Sequence, residues 1–200
     1  MVLAGAVGLT LWGLRSKVGT PRWQRQLAQT RPLLPLPDAP EWYITSLARL
    51  SALYRGPAEW TVADAEELIA MVMLGRTVTV EPDYAQPRTE DGYKLHLSRK
   101  VGAVVEARLA WGAPIVPAAV QRIRGVILEG LEHPLPSHRS DSIVVLVESG
   151  LAEPPDVRSH ILNMQDDPDP KVAAMARLKY GQLMDYIESD RVRGKLPKGW

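Results

Sequence analysis

Residues 155–189, PDVRSHILNMQDDPDPKVAAMARLKYGQLMDYIES, contain two helical patterns, Pro155 to Gln165 and Lys171 to Ser189, separated by Asp166-Asp-Pro-Asp-Pro170. Proline lacks the amide hydrogen and its ring clashes with the preceding turn, so two prolines in five residues end one helix and allow another to begin. The aspartates suit the start of the second helix, where a carboxylate accepts from free backbone N–H groups and faces the positive end of the helix dipole. A break this short makes the two helices neighbours. The unit is therefore a helical hairpin, and the chain is expected to be mainly α.

Working back from this unit, the same 3.6-residue apolar period recurs between Gly and Pro punctuation. Glu41 to Arg55 follows Pro40 and stops at Gly56-Pro57, with Ile44, Leu47, Leu50 and Tyr54 at helical spacing. Thr61 to Leu74 opens on Thr61-x-x-Asp64, a capping-box pattern, and is expected to end at Gly75. Val78 to Glu81 is β-branched and closed by Pro82, which suits a brief strand or an extended piece. Glu81 to Gly92 is expected to be a loop. Tyr93 to Trp111 and Pro117 to Leu131 are expected helices, and Gly102 inside the first suggests a close crossing. His133-Pro-Leu-Pro-Ser is expected to be a break. Asp141 to Glu148, around IVVLV, is expected to be helical, with Ser140 as cap and Gly150 as stop.

With Leu162 four residues before the proline turn and Val172 just after it, the unit at 155–189 resembles the helix–turn–helix of HEAT-type repeats. The resemblance covers 35 residues of 200, and a plain αα-hairpin accommodates the same residues. A solenoid needs at least about three stacked units. Residues 117–150 could be a preceding unit, although their turn does not match. The expected architecture is an irregular helical bundle or a short HEAT-like helical-hairpin array with extended N- and C-terminal arms. Its organisation is an apolar N-terminal helix with a basic flank (1–30), a proline-rich linker (31–40), an α-helical body (41–190) and a basic tail (191–200).

Composition narrows the function classes. With 46% hydrophobic and 24% charged residues, the chain can bury a core and is not of disordered type. The absence of cysteine removes disulfides, thiolate nucleophiles, Fe–S clusters and Cys-based zinc sites. There is no phenylalanine, so six Trp, six Tyr and six Met supply the bulky side chains alongside Leu and Val. The formal net charge is +1 but it is unevenly spread. Residues 1–58 carry seven basic groups against only Asp38 and Glu41, whereas 59–100 are net acidic.

Val2 to Leu14 carries no charge and is followed at once by Arg15 and Lys17. As a helix it is about 20 Å long, short of the roughly 30 Å hydrocarbon core of a bilayer. The charges follow the apolar run instead of preceding it, which argues against a secretory signal. The continuous apolar run is also unlike an amphipathic transit peptide. Three environments suit it: a membrane interface, with Trp12 at the boundary and the basic cluster against anionic headgroups, a partner protein's groove, or the chain's own core. In the first case the flank puts the body on the cytoplasmic or matrix-like side. The expected docking residues are Leu9, Leu11, Trp12 and Leu14, with Arg15, Lys17, Arg22 and Arg25 as flank and Trp200 as a second contact.

No motif amounts to a reaction mechanism. The four histidines, His96, His133, His138 and His160, form no HExxH pattern. Glu132, His133, His138 and Asp141 lie within ten residues, but the prolines among them suggest a splayed loop instead of a metal cage. Phosphate-loop, dinucleotide and EF-hand patterns are absent. Five basic groups precede residue 32 with Trp12 and Trp23 nearby, as in an RNA-threading arm, but the near-neutral body argues against nucleic acid. The expectation is a non-catalytic structural or accessory subunit of a multiprotein assembly, membrane-associated through its N-terminus, with other protein subunits as partners and no cofactor. A virion or particle protein with arm-like termini is the alternative, followed by an RNA-bound particle subunit.

Overall fold

A computed structural model describes residues 26, 33–56, 59–81 and 89–192. Among these residues there are seven α-helices and no strand: α1 (Glu41–Arg55), α2 (Val62–Arg76), α3 (Glu90–Ala110), α4 (Pro117–Glu129), α5 (Pro136–Glu148), α6 (Pro155–Asn163) and α7 (Pro170–Val192). Single 3₁₀ turns, Gly130–Glu132 and Met164–Asp166, extend α4 and α6. The mainly α expectation holds.

The helix ends follow local chemistry. Thr61 and Asp64 close a capping box at the start of α2, the Thr61 N–H donating to Asp64 Oδ2 at 2.8 Å and the Asp64 N–H to Thr61 Oγ1 at 3.4 Å. Thr89 accepts from the Gly92 N–H at the start of α3, so this helix begins three residues before the expected Tyr93. Pro117, Pro136 and Pro155 each occupy the first helical position, where the missing amide hydrogen costs nothing. Asp169 Oδ1 accepts from the Lys171 and Val172 N–H groups at the start of α7, the capping expected of that acidic turn.

Several expectations change. Ser140 is interior to α5 and caps nothing, because Pro136 starts the helix earlier. Helix α2 runs through Gly75 to Arg76. Gly75 is a crossing point: a Cβ there would stand 2.6 Å from the Ser98 Cβ on α3. Gly102 does the same between α3 and α5, its would-be Cβ lying 2.8 Å from Val145. Val78 belongs to no strand and instead packs with Leu95 and Leu135. The one β-type pairing among the described residues is an isolated parallel bridge, Trp60 to Ile115, which joins the segments leading into α2 and α4. The described part of the linker does not stand away from the body. Leu33 and Leu36 pack on the core, and the Leu33 N–H donates to Ser51 Oγ at 3.3 Å.

The helices pair as three hairpins, α2/α3, α4/α5 and α6/α7, and the second helices stack in series, α1 on α3, α3 on α5 and α5 on α7. Among the first helices α2 packs on α4. This is the pattern of a short helical-hairpin array, and residues 117–150 are a full unit of it. The two junctions between hairpins share one design. Gly112 (φ 70°) and Gly150 (φ 76°) take the left-handed conformation just past α3 and α5, and each is followed five residues later by the proline that starts the next helix, Pro117 and Pro155. A left-handed residue at this position turns the chain out of the helix while satisfying its last carbonyls. Here the Ala113 N–H donates to Arg108 O at 3.0 Å, and the Ala152 N–H to Leu146 O at 2.9 Å. The hairpins share a continuous core that includes Leu47, Leu68, Leu97, Ile143, Leu146 and Ile161, each such burial stabilising the fold by about 2 kcal/mol.

Gly112→Ala is expected to destabilise the fold by about 1–2 kcal/mol, because the left-handed conformation penalises a side chain even in open space. Gly125→Ala, inside α4 with no atom within 4 Å of the added carbon, should stabilise by roughly 0.5–1 kcal/mol through helix propensity. Urea unfolding of both variants checks the pair.

Candidate functional site

Leu9, Leu11, Trp12, Leu14, Arg15, Lys17, Arg22, Arg25 and Trp200 all lie outside the described residues. The described body brings together a different set, at the C-terminal end of α2.

The last turn of any helix leaves carbonyls without intrahelical partners. In α2 two of these, Gly75 O and Arg76 O, accept from imidazoles: His138 Nε2 lies 3.1 Å from the first and His133 Nε2 3.1 Å from the second. His133 Nδ1 accepts from the Leu135 N–H at 3.1 Å, so Nε2 is the nitrogen that donates to Arg76 O. The two rings lie 4.2 Å apart between centroids, and both are buried. The expected splayed loop is thus a tight turn, because Pro134 breaks the chain and Pro136 restarts a helix that carries His138 inward. Burial holds the His138 imidazole down to about 4, and the neighbouring His133 pushes the same way. The sequence placed these histidines near carboxylates, but the fold commits their ring nitrogens to backbone. Asp141 pairs with Arg99 at 2.6 Å, and Glu132 is exposed. Among the described residues no group of three His, Asp or Glu is placed to hold a metal ion.

Arg76 seals the same corner. Its guanidinium donates to Val126 O and pairs with Glu129 at 2.9 Å, tying the end of α2 to the end of α4. Beside it, α2, α3, α4 and α5 leave a cavity of about 60 Å³. Its walls include Leu68, Val72, Val101, Val105, Ile123 and Val145. Ser98, Arg99, Asp141 and Ser142 supply polar lining together with Arg76 and His138, and the half-exposed Arg99 and Asp141 side chains put that pair at the mouth. Burial pushes the Asp141 carboxyl up from its ordinary value, while Arg99 pulls it down.

The remaining histidines lie elsewhere. His96 Nδ1 and the Tyr43 hydroxyl share a hydrogen bond at 2.7 Å, and burial together with Lys100 and Arg99 lowers the pKa of His96. Tyr43 is fully buried, and that burial pushes its hydroxyl up to about 12, so this is a contact between two neutral groups. His160 is exposed and lines an open cleft with Glu129 and Glu132. Arg108, fully buried, lies with its guanidinium 4.7 Å above the Trp60 ring, while Trp60 Nε1–H donates to Leu53 O at 3.1 Å. This cation–π contact fixes the bridge segment against α3. Nothing in the sequence marks Arg108 among 17 arginines, because its burial follows from the approach of two distant segments.

Comparison with known proteins finds no match: no protein-family model, no curated protein and no solved structure is similar to this chain.

The lowered His138 value sets a pH dependence. An unfolded chain takes up the proton near pH 6.5, whereas the folded one resists it until about 4, so stability is full above 6.5 and falls as pH drops through that window. The expected loss is on the order of 3 kcal/mol. Urea midpoints across this range should show the slope, and His138→Gln should flatten it.

Proposed function

We propose that the chain is a non-catalytic structural or accessory subunit of a larger protein assembly, docked through its N-terminal segment and offering its helical-hairpin array to neighbours. One observation on the array carries this reading. The terminal unit of such a stack needs a polar outer face to remain soluble alone. Yet α7 leaves Leu178 56% exposed and Tyr186 54% exposed, with Met184 also in solvent, while Val172, Ala176, Leu183 and Ile187 pack inward. Apolar side chains on both sides of a terminal helix suit a helix covered by another protein. Met73 and Leu74 on α2 and Val80 just after it are exposed as well.

The uncharged run from Val2 to Leu14 and its flank Arg15, Lys17, Arg22 and Arg25 support a peripheral attachment to anionic membrane. An apolar face with a cationic border gains from burial at the acyl boundary and from headgroup attraction. No helix among the described residues is long and apolar enough to cross a membrane.

Co-sedimentation with anionic liposomes tests the attachment, using the full chain and a form lacking residues 1–14. The full chain is expected to pellet with lipid at low and high salt, and the shortened form to stay in the supernatant. If both stay in solution, or both assemble into particles without lipid, the membrane attachment is wrong and the particle-protein alternative takes its place.

A further inference from the structure

We propose that the cavity between α2, α3, α4 and α5 is a binding site for a small uncharged amphipathic molecule, a branched aliphatic group of four or five carbons bearing a hydroxyl. Three features of the site define this ligand. Its volume, about 60 Å³, has room for about four or five water-sized groups. Its inner walls are valine, leucine and isoleucine side chains from four helices, an environment that rewards a branched hydrocarbon and offers water too few partners. Its polar lining includes Arg76 and His138, already committed to Glu129 and to Gly75 O, and it holds Arg99 joined to Asp141, Nε to Oδ2 at 2.6 Å, with the Ser98 and Ser142 hydroxyls.

That pairing decides the ligand's head. A carboxylate would compete with Asp141 for Arg99 and leave one anion without its partner, and an ammonium would do the reverse to Arg99. Breaking a partly desolvated pair is costly. A hydroxyl donates to Asp141 and accepts from Arg99 or a serine without displacing either. The pocket is also set by the backbone. Gly102, in its wall, lets α3 and α5 approach closely enough that any side chain at this position would strike Val145. The lining residues all belong to α2, α3, α4 and α5, so the site adds a ligand to the docking role without resting on it.

The test uses the full chain and three probes with one hydrocarbon skeleton: 3-methylbutan-1-ol, 3-methylbutanoate and 3-methylbutylammonium. Methyl-resolved NMR follows the valine, leucine and isoleucine signals during each titration. The alcohol is expected to bind in the millimolar range, fitting for a ligand of so few atoms, and to shift the methyls of Val72, Val101, Val105 and Val145 selectively. Both charged probes should bind at least about tenfold more weakly. Val72→Phe, which fills the cavity, should abolish the alcohol's shifts. Val105→Ile, which adds a single methyl group, should weaken binding severalfold and serves if Val72→Phe does not melt cooperatively. Absence of methyl shifts up to the alcohol's solubility limit overturns the proposal. So do shifts spread over the whole core, equal binding of the carboxylate, or binding unchanged in the filled variant.

Discussion

The stack depends on a backbone reversal made twice, at Gly112 and Gly150, where φ is positive. A helix leaving its last turn has carbonyls to satisfy and no direction imposed on the chain that follows. A left-handed residue does both jobs, closing the carbonyls with N–H groups from beyond the helix and turning the chain aside. The proline five residues later then starts the next helix with a preset φ. Because both junctions use the same spacing, α4 and α6 enter from equivalent points and α5 and α7 fall into line behind α3. Without that repeated turn the apolar stripes of successive hairpins would not face each other, and no hairpin could cover its core alone.

Close packing then turns on small residues and on helix ends. Gly75 and Gly102 bring α2 and α5 hard against α3, and the cavity lies among these helices and α4. At the same corner the exposed end of α2 is closed by His133, His138 and the neighbouring Arg76. These groups would suit acid–base or metal chemistry in other surroundings, since imidazole titrates near neutrality and readily binds metal. Here the geometry points both imidazoles at carbonyls, and burial keeps His138 neutral near pH 7. The Arg99–Asp141 pair occupies the wetter side of the same region, so the polar groups grade from fully committed at the back to partly accessible at the cavity mouth.

The proposed function rests on surfaces more than on any reactive centre. The array carries exposed apolar side chains on its terminal helix α7, and further ones, Met73 and Leu74, on α2. In the proposed reading the basic, apolar N-terminal stretch would add an attachment of a different chemistry. These features agree with a subunit whose neighbours complete it, and the cavity would give such a subunit a way to sense a small molecule between its hairpins.

Much of this was legible residue by residue. The Thr61-x-x-Asp64 box, the Asp169 cap, the Gly102 crossing and the bounds of α1 follow from rules that act over three or four residues, and local rules survive folding. The sequence by itself determined that the chain is helical, where most helices begin, and that the acids around Pro168 cap α7. Tertiary structure alone decided the rest. Gly75 looked like a stop because glycine has low helix propensity, but contact with Ser98 from a distant helix outweighs roughly 1 kcal/mol of propensity. The repeat was concealed because the turns inside the hairpins differ in composition, and its signal lay in the Gly-x₄-Pro spacing between them. His133, His138, Arg108 and the cavity owe their surroundings to segments some fifty residues or more away in sequence. Burial and partner choice are properties of that approach in space, which no local pattern encodes.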